Sequence, residues 1–176
     1  HIQQSAEHQL RLINDLLDLS RAEIDELDLY PILLDPAPLL RETFESLAPP
    51  NFVATDGSGA VTRWRLTLPE RLPLILADPV RLRQILLNLL ANAQKFTTQG
   101  EIVLGAEVSP PHLHLWVADT GSGVPRDQVD HIFAPFVTGE QRPTHLRQSD
   151  LRGGIGMGLS ITRQLVALHQ GSVQVE

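Results

Sequence analysis

Apolar residues along this chain follow two periods, and the points where the period changes outline its elements. In the first thirty residues Ile2, Ala6, Leu10, Ile13, Leu17, Ser20, Ile24 and Leu27 step by alternating fours and threes, a heptad seam that Leu12, Leu16 and Leu19 widen. So broad an apolar face needs partners. Residues 1–30 are therefore expected to be one helix of a bundle whose other helices lie outside this chain or in a second copy. Tyr30-Pro31 and Asp35-Pro36-Ala37-Pro38 then read as a break and a hinge-like turn, followed by a short helix from about Pro38 to Leu47. Residues 49–60, rich in Pro, Gly, Ser and Asp, read as a loop. Val61–Leu68 alternates as a strand, and Leu74–Ala77 is a second, short apolar one. Ile102–Val108 and His112–Ala118 form a hairpin joined through Ser109-Pro110-Pro111.

Between Asp78 and Thr97 the period returns to that of a helix. Asp78 suits the cap, Pro79 the first helical position, and Ile85, Leu86, Leu89, Leu90, Ala93 and Phe96 recur along one face. Asn88, Asn92 and Lys95 stand at i, i+4 and i+7, in one row along the border of that apolar face. Such a row faces a crevice. Alone, it would be read as two buried, hydrogen-bonded amides with a lysine at the helix end. The glycines downstream change that weighting.

Asp119-Thr120-Gly121-Ser122-Gly123 closes the second strand of the hairpin. As a turn it is common; as a site it offers a carboxylate at a strand end, with glycines that let a ligand approach the backbone. Ile132-Phe133-Ala134-Pro135-Phe136 follows, its two aromatics read first as core. Residues 137–152 are polar and loop-like, and then Gly153-Gly154-Ile155-Gly156-Met157-Gly158-Leu159-Ser160 leads into a helical pattern through Ile161, Leu165, Val166 and Leu168. Glycines at a helix start present free backbone N–H groups to an anion. No Gly-Lys-Ser/Thr follows, so this is not a P-loop, and its spacing and position do not fit a dinucleotide fingerprint.

Composition narrows the field. The 42% hydrophobic content supports a sizeable core, and no apolar run is long enough to span a bilayer, so an aqueous, cytoplasmic setting is expected. There are no cysteines for disulfides or thiolate metal sites. A formal charge of −7, with its basic residues dispersed, excludes a nucleic-acid footprint, so any phosphate must be caught locally.

In order, Asn88-Leu-Leu-Ala-Asn92-Ala-Gln-Lys95-Phe-Thr, Asp119-Thr-Gly121-Ser-Gly123, Phe133-Ala-Pro-Phe136 and Gly154-Ile-Gly156-Met-Gly158-Leu159 resemble the N, G1, F and G2 boxes of sensor histidine kinases. Leu12 to Arg21 is similar to the second helix of that family's dimerisation and phosphoacceptor hairpin. The resemblance implies residues 1–30 as part of that hairpin and 31–176 as the ATP-binding catalytic domain, with its last strand truncated. It implies an α/β (α+β) two-layer sandwich, a mixed and mostly antiparallel sheet covered by three helices, shared with gyrase and related ATPases. By the same resemblance, Asn92 would coordinate Mg²⁺, Asn88 would support the metal and phosphates, and Lys95 would neutralise phosphate charge. Asp119 would accept from the adenine amine, and Gly121 and Gly123 would shape its pocket together with the Phe133 and Phe136 box. Gly154, Gly156, Gly158 and Leu159 would border the polyphosphate, and residues 137–153 would form the ATP lid. Partners implied are ATP, the phosphoacceptor helix, a response-regulator receiver domain, and a second copy through the N-terminal helix.

Two departures qualify the resemblance. The phosphoacceptor pattern of His, acid, one residue and Arg is absent: His1 leads into Ile-Gln-Gln and His8 into Gln-Leu-Arg. Ile155 stands where the family more often carries a small polar residue. Two alternatives stay open, a nucleotide-binding regulatory module without kinase activity and an ATPase relative of the gyrase or mismatch-repair branch. The latter would be expected to place an acidic base at position 88, where this chain has Asn88.

Overall fold

The computed structural model describes residues 28–55, 59–129, 131–134 and 158–176; residues 30–124 form one unit, and the described residues from 125 onward belong to a second. The expected N-terminal helix and the expected lid lie outside the described residues.

In the first unit, β1 (Ile32–Leu34) precedes α1 (Pro36–Leu47), and β2 (Val53–Thr55) precedes β3 (Val61–Thr67). β4 (Ile75–Ala77), α2 (Pro79–Phe96), β5 (Gly100–Ser109) and β6 (His112–Asp119) follow. The Asp35-Pro36 stretch is not a hinge but a helix start: the Asp35 carboxylate accepts from the Ala37 N–H at 3.0 Å, and Pro36 occupies the first turn, where a missing N–H costs nothing. Residues 49–60 are not loop throughout. They hold a 3₁₀ turn at Pro50–Phe52 and the three-residue strand β2. Phe52 takes a left-handed backbone angle, φ 56°, uncommon for a bulky residue, and its ring packs on Phe44 with centroids 5.5 Å apart.

The main sheet runs β2-β3-β5-β6, with β3 and β5 parallel and the other two pairs antiparallel; β1 and β4 form a separate antiparallel ribbon. A parallel pair needs a crossover, and α2 lies within the connection between β3 and β5. Leu39, Leu40 and Phe44 of α1, Leu82, Leu86, Leu90 and Ala93 of α2, Trp64 of β3, and Ile102, Leu104 and Ala106 of β5 share one core. The alternation of β5 puts residues 102, 104 and 106 on the helix side, joined by the paired half-buried Leu115 and Val117 of β6. Phe96 departs from the expected core: it is exposed at the end of α2, with the Lys95 ammonium 4.9 Å from its ring centroid.

In the second unit, residues 126–129 and 131–133 form turns, with the Ile132 N–H donating to the Gln128 carbonyl at 3.0 Å. Helix α3 spans Gly158–Leu168 and buries Ser160, Ile161, Thr162 and Leu165. Among the described residues no helix is long and apolar enough to cross a membrane.

Candidate functional site

The row of Asn88, Asn92 and Lys95 is only as well placed as the helix that carries it, and α2 is fixed at both ends. At its start, Asp78 Oδ1 accepts from the backbone N–H groups of Val80 at 2.9 Å and Arg81 at 3.1 Å, while Oδ2 accepts from the Tyr30 N–H at 3.0 Å. One carboxylate therefore caps the helix and ties down Tyr30, just ahead of β1 and 48 residues earlier in the chain. Burial pushes the Asp78 carboxyl up, but the N–H donors of Tyr30, Arg81 and Val80, with the Arg81 charge, outweigh it and hold the group below the usual carboxylate range.

At its far end, Thr97 closes the helix, its N–H donating to the Ala93 carbonyl at 3.0 Å. Between these caps Asn88 and Asn92 are half-buried and Lys95 is exposed, a gradient that brings the row out of the core toward the helix C-terminus. A lysine there also complements the negative end of the helix dipole.

The topology brings Asp119 to that same end. Antiparallel pairing sets Asp119, the last residue of β6, opposite Ile102 near the start of β5, and β5 begins just after α2 ends. The Thr97 hydroxyl donates to Asp119 Oδ1 at 3.2 Å, and the Gly121 N–H donates to the same oxygen at 2.8 Å, an Asx-type turn. Asp119 is exposed, and among the described residues no donor reaches its Oδ2. Gly121 is packed against the helix end, where a side chain would strike the Phe96 carbonyl, and Gly123 follows with φ +67°. The result is a carboxylate with one oxygen pinned and, among the described residues, no donor on the other, at the end of the helix that carries Asn88, Asn92 and Lys95.

Of the remaining expected site residues, the described ones belong to the second unit. Phe133 is buried within the turns of the second unit, Gly158 opens α3, and Leu159 is half-buried next to it. Phe136, Gly154 and Gly156 lie outside the described residues. Thr97 escaped the sequence reading, although its place at the end of Lys95-Phe96-Thr97 and its near-complete burial, 5% exposed, mark it as a polar residue with a partner.

Comparison with known proteins gives this geometry a family. The sequence profile described as "Histidine kinase-, DNA gyrase B-, and HSP90-like ATPase" matches residues 77–176, a stretch that includes all four boxes. The chain belongs to this ATPase family. Within the family, it corresponds to the catalytic ATP-binding domain of sensor histidine kinases. It is 39% identical over 176 residues to the circadian input-output histidine kinase CikA of Synechococcus elongatus, covering 99% of this chain and 22% of that protein. It is 32% identical over 175 residues to the sensor histidine kinase RcsC of Escherichia coli K12, covering 95% of this chain and 16% of that protein. Among solved structures, full-length ShkA in complex with AMPPNP matches with a TM-score of 0.72 and 36% identity, over 93% of this chain and 32% of that one. The chain thus spans about a fifth of the length of these curated relatives. The mixed sheet and three helices are those of histidine kinase ATPase domains.

Proposed function

We propose that this ATPase-family domain binds ATP with Mg²⁺ between the α2 row and Asp119, and that in its parent protein it transfers the γ-phosphoryl group to a histidine on a dimerisation helix, for relay to an aspartate of a response regulator. The observation that carries this reading is the Asp119 carboxylate, its Oδ1 held by Thr97 and Gly121 and its Oδ2 without a donor among the described residues, at the end of the helix bearing Asn88, Asn92 and Lys95. Asp119 accepts from the exocyclic amine of the base, and Gly121 and Gly123 keep the backbone clear of the ring. The family resemblance assigns Phe133 and Phe136 to the base side and Gly154, Gly156, Gly158 and Leu159 to the phosphates. The AMPPNP complex of the related ShkA supports a nucleotide of this kind.

The donors fit Mg²⁺ brought in by the nucleotide rather than a resident metal cage. Among the described residues no group of three His, Cys, Asp or Glu could hold a metal ion. Mg²⁺ prefers oxygen ligands and keeps several waters, so the amide oxygen of Asn92, supported by Asn88, with phosphate oxygens and water would suffice. When bound, it would neutralise phosphate charge alongside Lys95; the protein's own contribution is positioning. In the transfer, the bond from the β,γ-bridging oxygen to the γ-phosphorus breaks and a bond from the imidazole nitrogen forms. ADP leaves with the electron pair, and the ring releases its proton to solvent.

The test is phosphotransfer with γ-labelled ATP. The chain alone should stay unlabelled, because neither His1 nor His8 sits in the acceptor pattern. A supplied phosphoacceptor hairpin should gain acid-labile, base-stable label. Nucleotide binding without any transfer to that hairpin would favour the regulatory alternative, and label on His1 or His8 would contradict the assignment of residues 1–30.

A further inference from the structure

We propose that Thr97 is the positioning residue that makes this site selective for a 6-amino purine. The inference rests on the reading above, that Asp119 faces the base, and adds what determines how it does so. An aspartate carboxylate turns easily about its last torsion, whose profile is broad and two-fold, so a single donor cannot dictate which oxygen points outward. Here two donors from different elements converge on Oδ1: the Thr97 hydroxyl at 3.2 Å, from the end of α2, and the Gly121 N–H at 2.8 Å, from the turn after β6.

Thr97 is a stiff donor. It is β-branched and 5% exposed, and its own N–H is held by the Ala93 carbonyl at 3.0 Å. The hydroxyl therefore fixes the plane of the carboxylate and leaves Oδ2 as an acceptor without a donor among the described residues. An acceptor fixed in that way matches a 6-amino group and opposes a 6-oxo group, whose oxygen it would repel. The same residue ends the helix that carries Asn92 and Lys95, so the base contact and the phosphate contacts are set by one segment of backbone.

The experiment compares two nucleotides on the full 176-residue chain by calorimetry with Mg²⁺: an ATP analogue, and purine riboside triphosphate, which lacks the 6-amino group. The unmutated chain should bind the ATP analogue more tightly. Thr97→Val should weaken the ATP analogue by about tenfold while leaving purine riboside triphosphate within about twofold, and Thr97→Ser should restore the difference. If Thr97→Val does not melt cooperatively, Thr97→Ala carries the same comparison. An equal loss for both nucleotides, or no loss for the ATP analogue, would show that Thr97 is only a helix cap and overturn the proposal. Failure of the unmutated chain to bind either nucleotide would instead refute the ATP reading itself, and the selectivity role with it.

Discussion

Gly121 lies against the Phe96 carbonyl so closely that a Cβ would stand 2.5 Å from that oxygen and 2.7 Å from Asp119 Oδ1. Both obstacles are held in place, one by backbone and one by a hydrogen-bonded carboxylate, so a side chain must push the turn after β6 away from α2. Gly121→Ala is expected to cost about 1–3 kcal/mol of stability and to weaken nucleotide binding, because the displaced carboxylate is the group proposed to meet the base. Thermal melting and titration of the same sample check both halves; unchanged affinity would mean that the turn is not part of the site.

Asp78 gives a pH-dependent prediction. Its folded-state carboxyl is held below the usual range, so the stability it contributes is present above the unfolded value of about 3.9 and is lost as pH falls through the lower folded value. Asp78→Ala should cost about 1–2 kcal/mol near neutral pH and flatten that acid limb of the stability curve. Equilibrium unfolding followed from neutral pH down toward the acid limit reads both. An acid limb equally steep in the variant would locate the effect in other carboxylates.

On the sheet face opposite the helices, Trp116 pairs with Gly105 and its ring covers the space where a Cβ at that position would stand. Gly105→Val should push the ring outward and destabilise the domain by about 1–3 kcal/mol, with a shift in tryptophan fluorescence. Nucleotide affinity should be unchanged, since Asp119, Asn92 and Lys95 lie at another part of the unit. A loss of binding in folded protein would contradict this separation.

The exposed ion pairs should matter little. Arg65 meets Glu101 at 3.0 Å and Arg83 meets Glu42 at 2.7 Å, all four side chains being well solvated. Glu101→Gln and Glu42→Gln are each expected to cost less than about 0.5 kcal/mol in denaturant unfolding at moderate salt.

Where local signals were strong, sequence and structure agree. Asp78, Pro79 and the apolar repeat marked α2 to within a residue at each end, and Ser109-Pro110-Pro111 marked the hairpin. Two of the three shortest strands, β1 and β2, were not legible. β1 is three residues of an apolar run with two of them exposed, and β2 sits among residues whose composition signals loop, so only pairing with β4 and β3 defines them. Phe96 followed the helical period, yet it stands in the last turn, beyond the core contributed by Leu90 and Ala93. At the candidate site, residue type and spacing singled out Asn92, Lys95 and Asp119, and the family resemblance supplied the roles proposed for them. Thr97 was not singled out, because its role depends on a carboxylate 22 residues away that only the closed β5–β6 hairpin brings back to the end of α2.

The central claim, that ATP with Mg²⁺ binds where the α2 row meets Asp119, is tested most directly by calorimetric titration of the chain with a non-hydrolysable ATP analogue and Mg²⁺, beside Asp119→Asn and Asn92→Ala. On the proposed reading, loss of the carboxylate replaces the acceptor for the base amine with a mixed donor and acceptor, and loss of the Asn92 amide removes the oxygen assigned to the metal, so each variant is expected to lose at least about tenfold in affinity while melting cooperatively. Saturable binding by the unmutated chain that both substitutions weaken is the predicted result; the absence of heat at millimolar nucleotide, or binding that neither substitution changes, would contradict it.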